Sequence, residues 1–191
     1  MNQNQIIFRT ATTNDSAQVA ALHSASWRSA YRGMLPDSYL DQEIDAERLQ
    51  LWRERLGRLN QHRQYVLLAE LEQQPIGFVC VLLDEEPDWG ACLDNLHMHP
   101  EYKRYGIGRQ LFAHAAQWVR ASEPDWPLHL LVFEANQDAR RFYDNYKGQV
   151  VERMIKHMPG DVALPVLRYM WRDLAGLAAA LQRTKEQKAR E

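Results

Sequence analysis

One segment of twenty residues, 93–112, holds the residue types that could bind a charged ligand. It reads LDNLHMHPEYKRYGIGRQLF: a strand that ends at Pro100, a basic stretch, and two glycines, Gly106 and Gly108, where an amphipathic helix begins. The first turn of a helix has unpaired N–H groups and a partial positive charge, and glycines let a ligand approach that backbone closely. The pattern therefore predicts an anion site suited to a pyrophosphate. Three side chains add positive charge around it: Lys103, Arg104 and Arg109.

The Gly-x-Gly pattern has other interpretations, and the sequence excludes two of them. Leu111 stands where a dinucleotide-binding fingerprint would need its third glycine. The Gly-Lys-Ser/Thr sequence that completes a P-loop is also missing from this position. A tight turn that binds no ligand remains open from this motif alone.

Three blocks of sequence, in order along the chain, resemble the GNAT superfamily of N-acetyltransferases. The first is the strand end Leu96 to Pro100 (LHMHP) with the loop Lys103 to Gly108 (KRYGIG). The second is Asn-x-x-Ala-x-x-Phe-Tyr, which is intact here as Asn136, Ala139, Phe142 and Tyr143. The third, SWRSAYRGMLPDSYL, is similar to the acceptor-side helices of a bacterial SWRxAYRG-type branch of the family. The resemblance runs from about Ile6 to Trp171.

The resemblance implies a fold, an activity and a cosubstrate. The fold is α/β (α+β), with a mixed, mainly antiparallel twisted sheet flanked by helices and one parallel strand pair split to admit acetyl-CoA. The activity is transfer of an acetyl group from acetyl-CoA to a primary amine, by direct attack in a ternary complex. Because a fold does not fix a function, two alternatives stay open: a non-catalytic CoA-binding or regulatory domain, and an acyltransferase that uses another acyl-CoA.

The resemblance also implies roles for individual residues. Main-chain groups of Leu96, His97 and Met98 are expected to hold the pantetheine arm and the thioester carbonyl. The loop and the helix start are expected to hold the diphosphate, through Lys103, Arg104, Tyr105, Gly106, Ile107, Gly108 and Arg109. Asn136 is expected to cap its helix and to bind the pantetheine amide. Tyr143 matches the family tyrosine that protonates the leaving thiolate, a task that suits the ordinary pKa of a phenol, about 10.

Two positions of the loop depart from the family pattern. Lys103 stands where Arg or Gln is usual, which keeps the charge but loses the forked geometry of a guanidinium. Arg104 stands where glycine is often found. Backbone amides can still serve there if Arg104 needs no positive φ, the conformation that glycine adopts most easily. These departures put the shape of the loop in question more than its ligand.

An amine acceptor must lose a proton before it attacks, and two residues are rival candidates for the base. For a lysine-like amine at pH 7 the deprotonation costs roughly 4 to 5 kcal/mol. Asp94 is a carboxylate in an otherwise apolar strand, and His97 has an imidazole whose ordinary pKa suits the task. Each also has a structural interpretation, a salt bridge for Asp94 and edge packing for His97. Strand alternation places them on opposite faces unless a bulge intervenes.

The acceptor side is less specific. Trp27 and Tyr31 lie four residues apart, so they share a helix face, where they could line an acceptor pocket or pack in the core. The identity of the amine stays open. His97 and His99 share a strand face, but with no cysteine or carboxylate at ligand spacing we expect no metal site.

Periodicity predicts the elements that position these residues. The expected strands are Ile6–Phe8, Tyr65–Glu70, Ile76–Leu83, Ala91–His99, Leu128–Phe133, Gln149–His157 and Leu164–Trp171. The expected helices run from Thr12 or Thr13 to about Ala30, from Ala46 (capped by Asp45) to about Leu59, from Gly106 to about Ala121, from Asn136 to about Tyr146, and onward from the cap Asp173. The mixture of hairpins with a strand–loop–helix–strand unit is that of an α/β or α+β protein.

Composition sets the broader class. A chain of 191 residues with 46% hydrophobic residues can form one domain with a sizeable core. We assign residues 1–172 to that domain and 173–191 to a C-terminal helix with a polar tail that we expect to fray. The balance of 23 basic and 25 acidic residues lacks the basic excess that nucleic-acid binding usually needs. The edge formed by the C-terminal strands could pair across a homodimer.

The apolar segments and the cysteines indicate a cytoplasmic protein. Cys80 and Cys92 lie in apolar, strand-like runs, so we expect reduced thiols in the core. The N-terminal residues have neither the basic nor the apolar region of a signal peptide. The longest fully apolar stretch, Phe78–Leu83, is too short to cross a membrane.

Overall fold

The computed structural model describes residues 5–58, 60 and 62–187. Within them, seven strands form one sheet: β1 (Ile7–Thr10), β2 (Gln64–Leu71), β3 (Gln74–Leu82), β4 (Ala91–Met98), β5 (Leu128–Phe133), β6 (Gln149–Met158) and β7 (Val162–Trp171). Five α-helices accompany them: α1 (Ser16–Tyr31), α2 (Ile44–Gly57), α3 (Ile107–Ser122), α4 (Gln137–Asn145) and α5 (Leu174–Gln187). The predicted α/β class is confirmed.

The sheet has one parallel pair, and that pair opens after two residues. The strand order is β1-β2-β3-β4-β5-β7-β6, and every neighbouring pair is antiparallel except β4 with β5. The parallel ladder consists of Ala91 with Leu128 and Cys92 with His129. By contrast, β4 pairs with β3 as far as Met98. The expected split between the two parallel strands is therefore confirmed.

A β-bulge in β4 accounts for the divergence. Cys80 of β3 pairs with Asn95, and its neighbour Val81 pairs with Leu93, so Asp94 is an extra residue without a partner in the ladder. A bulge bends the strand that carries it and increases its local twist. The bend lies just after the two residues that β4 shares with β5, which is where the strands separate.

Helices cover both faces of the sheet. On one face α3 and α5 pack over a cluster that includes Leu111, Phe112 and Ala115, each without solvent exposure. Helical spacing predicts an apolar stripe on α3 that consists of Ile107, Leu111, Ala115 and Trp118, and the first three are buried. Trp118 is partly buried and stacks on Tyr65 at 5.2 Å between ring centroids. On the other face α1 and α2 pack over strands β2 and β3. Burying each large apolar side chain contributes roughly 1.5 to 3 kcal/mol, so both layers are held mainly by apolar contact.

The start of α2 differs from the prediction. A π-helical turn, Tyr39–Glu43, precedes it, and α2 begins at Ile44 rather than Ala46. Asp45, predicted as the cap, lies inside the first turn, where it accepts a hydrogen bond from Arg28 at 2.7 Å. Because the π-helical turn runs directly into α2, there is no free helix start at Ala46 for Asp45 to cap.

The C-terminal helix joins the main core. Asp173 caps α5 as predicted, because its Oδ1 accepts the N–H of Gly176 at 2.8 Å. Leu174, Leu177 and Leu181 are buried in the same cluster as α3. Residues 188–191 of the predicted polar tail lie outside the described residues.

Two further expectations concern the cysteines and the membrane. Cys80 and Cys92 are free thiols and both are buried, as predicted. Burial raises the pKa of each thiol, to about 12 for Cys92, so neither is reactive at neutral pH. Over the part of the chain that the structure describes, no helix has the length and apolar character needed to span a bilayer.

Candidate active site

A cavity of about 980 Å³ fills the split between β4 and β5. Leu96, His97 and Met98 line it from β4, and the facing residues Leu130, Leu131 and Val132 line it from β5. The start of α3 and one face of α4 complete the walls. The two blocks that the sequence singled out, separated by almost thirty residues, therefore meet at one cavity.

The backbone of β4 offers free hydrogen-bonding groups to this cavity. The N–H of His99 donates to the carbonyl of Ile76 in β3 at 2.9 Å. Backbone groups alternate in direction along a strand, so His97 also turns its N–H and C=O toward β3. The corresponding groups of Leu96 and Met98 then point into the split. Of the three residues predicted to hold a ligand through main-chain groups, these two have the appropriate direction.

The bulge at Asp94 changes the relation between the two rival bases. Without a bulge, Asp94 and His97 would lie on opposite faces of the sheet. Because the bulge shifts the alternation by one residue, both side chains line the same cavity. The expectation of opposite faces therefore does not apply.

Asp94 is held in an ion pair. Its Oδ2 accepts a hydrogen bond from Nη1 of Arg55, on α2, at 2.5 Å. The same guanidinium nitrogen donates to Oδ1 of Asn95 at 3.1 Å. The salt-bridged interpretation of Asp94 is thus realised, although a third of its side chain remains exposed (32%).

His97 is uncharged at neutral pH. Its Nδ1 lies 3.0 Å from the hydroxyl oxygen of Ser26, and its ring is 4.6 Å from that of the buried His23. Burial, followed by the positive charges of Arg48 and Lys103, lowers the pKa of His97 to about 3. An imidazole with so low a pKa accepts hydrogen bonds well but holds a transferred proton poorly.

The loop before α3 contains two residues with positive φ, on either side of Tyr105. Gly106, the N-cap of α3, has φ +76°. Arg104 has φ +70°, so the condition set from the sequence, that Arg104 needs no positive φ, fails. The left-handed conformation costs a side-chain-bearing residue roughly 1 to 2 kcal/mol. The loop keeps the backbone conformation that glycine would adopt, and the backbone at Arg104 is therefore strained.

The first turn of α3 presents backbone donors beside the cavity. The N–H groups of Ile107, Gly108 and Arg109 precede the first intrahelical hydrogen bond, which runs from Gln110 N–H to the carbonyl of Gly106 at 3.2 Å. A Cβ placed on Gly108 would meet only atoms of Met98, the nearest at 3.8 Å. The space beside Gly108 is therefore open toward the cavity wall.

The predicted side chains of the loop divide between the cavity and neighbouring helices. Lys103 lines the cavity, and its Nζ donates to the hydroxyl of Ser29 on α1 at 3.3 Å. Arg109 also lines the cavity, but its Nη1 donates to the carbonyl of Leu181 on α5 at 3.2 Å. Tyr105 lines the cavity and is 43% exposed. Positively charged side chains thus surround the start of α3. Two of them, Lys103 and Arg109, are held by hydrogen bonds to neighbouring helices.

The second sequence block forms the opposite wall. Asn136 caps α4, as predicted, because its Oδ1 accepts the N–H of Ala139 at 3.2 Å, and it also lines the cavity. Tyr143 lies on α4 about two turns after Asn136 and is buried (8% exposed). Burial and the nearby Tyr31 phenol raise the pKa of Tyr143 above its ordinary value. Tyr143 therefore keeps its proton at neutral pH, and it is a weaker acid than the ordinary phenol that the resemblance implies.

Trp27 and Tyr31 lie on the other side of the sheet, on α1. Their rings contact each other edge to face at 5.0 Å, as their spacing predicts. Tyr31 lines the large cavity and also a second cavity of about 360 Å³, which Trp27 lines as well. The two cavities share Leu93, Asp94 and His97 at the bulge. The split therefore connects the two faces of the sheet.

The sequence pattern of the acetyltransferase (GNAT) family matches residues 19–148, about two thirds of the chain. A probable N-acetyltransferase of Mycobacterium tuberculosis is 30% identical over 144 residues, covering 75% of this chain and 80% of that protein. The chain belongs to the GNAT acetyltransferase family. This membership agrees with the loop, the Asn-x-x-Ala-x-x-Phe-Tyr block and the split sheet.

Solved GNAT structures share the fold. The PaiA N-acetyltransferase of Thermoplasma acidophilum, in complex with coenzyme A, superposes with a TM-score of 0.67 at 20% identity, covering 87% of this chain and 99% of that one. A GCN5-related N-acetyltransferase of Rhodopseudomonas palustris gives 0.69 at 20% identity over 90% and 98%. YncA of Salmonella typhimurium, with its cofactor acetyl-CoA, gives 0.64 at 13% identity over 87% and 93%.

Several residues of this GNAT site were not identified from the sequence. Ser26 contacts His97, Arg55 contacts Asp94, and Arg48 lines the second cavity. No signal marked the two arginines, because charged residues at helical spacing are typical of a solvated face.

In the described part of the chain, no group of three His, Cys, Asp or Glu side chains is arranged to hold a metal ion.

Proposed function

We propose that this GNAT protein transfers an acetyl group from acetyl-CoA to a primary amine by direct attack in a ternary complex. The observation that carries the proposal is the split between β4 and β5, which is lined by unpaired β4 backbone on one face and opens to a second cavity on the other. One ligand can enter from each face, and the two meet at the bulge. That geometry suits a reaction between two bound substrates.

The larger cavity fits acetyl-CoA as cosubstrate. The diphosphate would lie against the N–H groups that begin α3, with Lys103, Arg104 and Arg109 adding charge. The pantetheine arm would pair with the free backbone of Leu96 and Met98, as an added strand does. The CoA and acetyl-CoA complexes of the structural neighbours support this assignment.

The proposed reaction makes one bond and breaks one bond. The amine nitrogen forms a C–N bond to the thioester carbon, and the carbonyl becomes an oxyanion. A β4 amide directed at that oxygen contributes roughly 3 kcal/mol of barrier reduction. The oxyanion then re-forms the carbonyl as the C–S bond breaks, and the nitrogen, now bonded to carbon, loses its surplus proton. The Tyr143 hydroxyl, which burial keeps protonated, donates its proton to the departing CoA sulfur. The phenol is restored by a proton from solvent.

For the amine proton we assign Asp94 as the base and His97 as a positioning residue. Asp94 has a carboxylate oxygen, Oδ1, that the Arg55 ion pair leaves unused among the described residues, and its side chain is accessible. His97, with its pKa lowered to about 3, would bind a proton at pH 7 only at a cost of roughly 5 kcal/mol. It can still accept a hydrogen bond that orients the amine.

Calorimetry and a thiol assay test the proposal. Titration of CoA into the folded protein should release or absorb heat, and acetyl-CoA with a panel of amines should liberate free thiol. No heat with CoA would overturn the assignment of the larger cavity. Heat without thiol release from any amine would indicate the alternative, a non-catalytic CoA-binding domain. A comparison of acetyl-, propionyl- and succinyl-CoA settles the acyl group.

Two variants separate the roles at the bulge. Asp94→Asn should lower kcat/KM about 10²-fold, because the base is lost. Arg55→Gln breaks the same ion pair but keeps the carboxylate, so it should lower kcat/KM much less. An equal loss in both variants would show that Asp94 acts only through the ion pair.

A further inference from the structure

The second cavity is of a size and position to hold the acceptor. It has a volume of about 360 Å³, near the lower end for small-molecule sites. Its end at Leu93, Asp94 and His97 is shared with the larger cavity, so the reacting nitrogen must lie there. The remaining wall comes from α1, α2 and β6, and it must bind whatever else the acceptor carries.

Arg48 is the unusual group on that wall. Its side chain is only 11% exposed, and among the described residues it forms an ion pair with Glu47, the preceding residue in α2. That carboxylate is shared, because its other oxygen accepts the hydroxyl of Tyr39 at 2.6 Å. The Nε of Arg48 is buried and has no hydrogen-bond partner among the described residues. A guanidinium has five N–H donors, and leaving one buried and unpaired is costly.

A second unpaired donor lies beside it. The guanidinium carbon of Arg48 is 4.6 Å from the centre of the Trp27 ring. The Nε1 of Trp27 is also buried without a partner in the described part of the chain. Both groups can only donate, and the Glu47 carboxylate, which contacts another nitrogen of Arg48, leaves these two N–H groups without an acceptor among the described residues. A ligand that satisfies both donors must supply acceptor oxygens.

The other charges of the cavity are balanced across elements. Arg55 of α2 pairs with Asp94 of β4, and Glu86 pairs with Arg168 of β7 at 2.7 Å. The exposed Lys156 and Glu85 carry one charge of each sign and add none on balance. Glu47 likewise offsets the charge of Arg48, so the lining as a whole holds no excess of positive charge. What distinguishes this corner is its two unpaired donors, which a carboxylate can satisfy and an ammonium group, itself only a donor, cannot.

We infer that the acceptor is a small amine that also carries a carboxylate, with the carboxylate bound by Arg48 beside Trp27. The inference rests on the proposed function, since it takes the Asp94–His97 end as the place of the reacting nitrogen. An amino-acid-like molecule meets both requirements, because its amine faces the thioester while its carboxylate pairs with the guanidinium. A diamine or polyamine meets only the first.

Matched acceptors test this inference with the unmodified protein. The value of kcat/KM is measured for three matched acceptors: an amino acid, its carboxamide, and a diamine of similar length. A charge-assisted contact with a guanidinium is worth about 10-fold or more in favour of the carboxylate. Equal kcat/KM for acid and amide, or preference for the diamine, would overturn the inference.

Variants locate the contact. Arg48→Met should lower kcat/KM for the amino acid about 10-fold or more, change it little for the carboxamide, and so remove the preference. Arg53→Met, on the exposed side of α2, is the matched control and should keep the preference. A preference that survives in a folded Arg48→Met variant would overturn the assignment of Arg48. If that variant does not fold, the comparison of acceptors with the unmodified protein still decides the substrate class.

The outcomes remain separate from failure of the proposed function. If the enzyme proposal is wrong, no amine of any class releases thiol. If only the present inference is wrong, thiol release occurs but does not depend on the carboxylate. Calorimetry with CoA is common to both and does not involve Arg48.

Discussion

Burial fixes the protonation of two side chains that line the larger cavity. It raises the pKa of Tyr143 and lowers that of His97 to about 3, so the first is a neutral phenol and the second a neutral imidazole at pH 7. In both cases desolvation is the main cause, because it disfavours the charged form. In the proposed reaction the neutral thioester would therefore lie near one proton donor, Tyr143, and one hydrogen-bond acceptor, His97. Neither side chain is charged.

Tyr143→Phe tests the donor. The substitution removes the proton that the leaving thiolate needs but keeps the ring in its contact with Phe112, at 6.2 Å between centroids. We expect kcat to fall about 10²-fold, with little change in the affinity for CoA. Steady-state kinetics and calorimetry measure the two quantities. Tyr65→Phe, which alters a ring stacked on Trp118 far from the cavity, is the control, and an equal loss there would contradict the role of Tyr143.

Arg104 allows the strain in the loop to be measured. Arg104→Gly and Arg104→Ala remove the same charge, but only glycine relaxes at φ +70°. We expect the glycine variant to be about 1 kcal/mol more stable than the alanine variant in urea unfolding. Both should bind CoA more weakly than the unmodified protein, and to a similar extent. Equal stability of the two variants would show that the loop changes conformation when Arg104 is replaced.

At the scale of elements, helix stability and the proposed binding of CoA place opposite requirements on the first turn of α3. Glycine weakens a helix by roughly 1 kcal/mol relative to alanine, yet Gly108 stands in the first turn of α3. The structure leaves room for a methyl group there, since the nearest atom to a Cβ would be 3.8 Å away. Packing therefore does not require this glycine, whereas the proposed approach of a diphosphate to the backbone would favour it.

Gly108→Ala separates these two demands. We expect unfolding stability to stay constant or rise by up to about 1 kcal/mol, because helix propensity improves. Affinity for CoA should fall about 10-fold or more, since the methyl group lies where the diphosphate would approach. Gly57→Ala, at the last residue of α2 with open space around it, is the control for propensity alone. Unchanged CoA affinity in Gly108→Ala would contradict the placement of the diphosphate.

At the scale of the whole molecule, one arginine joins the first strand to two distant parts of the chain. Arg9 of β1 donates to Asp15, before α1, at 2.7 Å and to Glu70 of β2 at 2.6 Å. The backbone and hydroxyl of Thr12 also donate to Asp15. Hydrogen bonds from Arg9 are the main cause that lowers the pKa of Asp15 from 3.8 to about 2. This network fixes the edge of the sheet against the start of α1.

The lowered pKa predicts the pH dependence of stability. A carboxyl whose pKa is lower in the folded state stabilises the fold above its unfolded pKa and loses that effect as the pH falls through its folded pKa. Asp15 should therefore contribute about 1 to 2 kcal/mol above pH 4, and the contribution should disappear between about pH 4 and pH 2. Urea unfolding of the unmodified protein and of Asp15→Asn across this range measures it. A difference that stays constant down to pH 2 would contradict the assignment.

The sequence by itself determined the elements and the loop beside the cavity, because those depend on local patterns. The period of apolar residues set the strands and the α3 stripe, and capping preference identified Asn136 and Asp173. The two glycines after a basic stretch located the helix start that lies beside the cavity. Such features follow from backbone geometry within a few residues, which is what a single sequence records.

Only the tertiary structure decided which side chains face one another. The bulge at Asp94 brought Asp94 and His97 to one cavity, although alternation alone separates them. The partner of Asp94, Arg55, lies on α2, 39 residues earlier in the chain. No local sequence pattern predicts an ion pair between residues so far apart. The same holds for Arg48. A charged residue on a helix is expected to be exposed, but its side chain is largely buried where α2 packs against the sheet. Contacts between remote segments depend on how whole elements pack, and that information is spread over the entire chain.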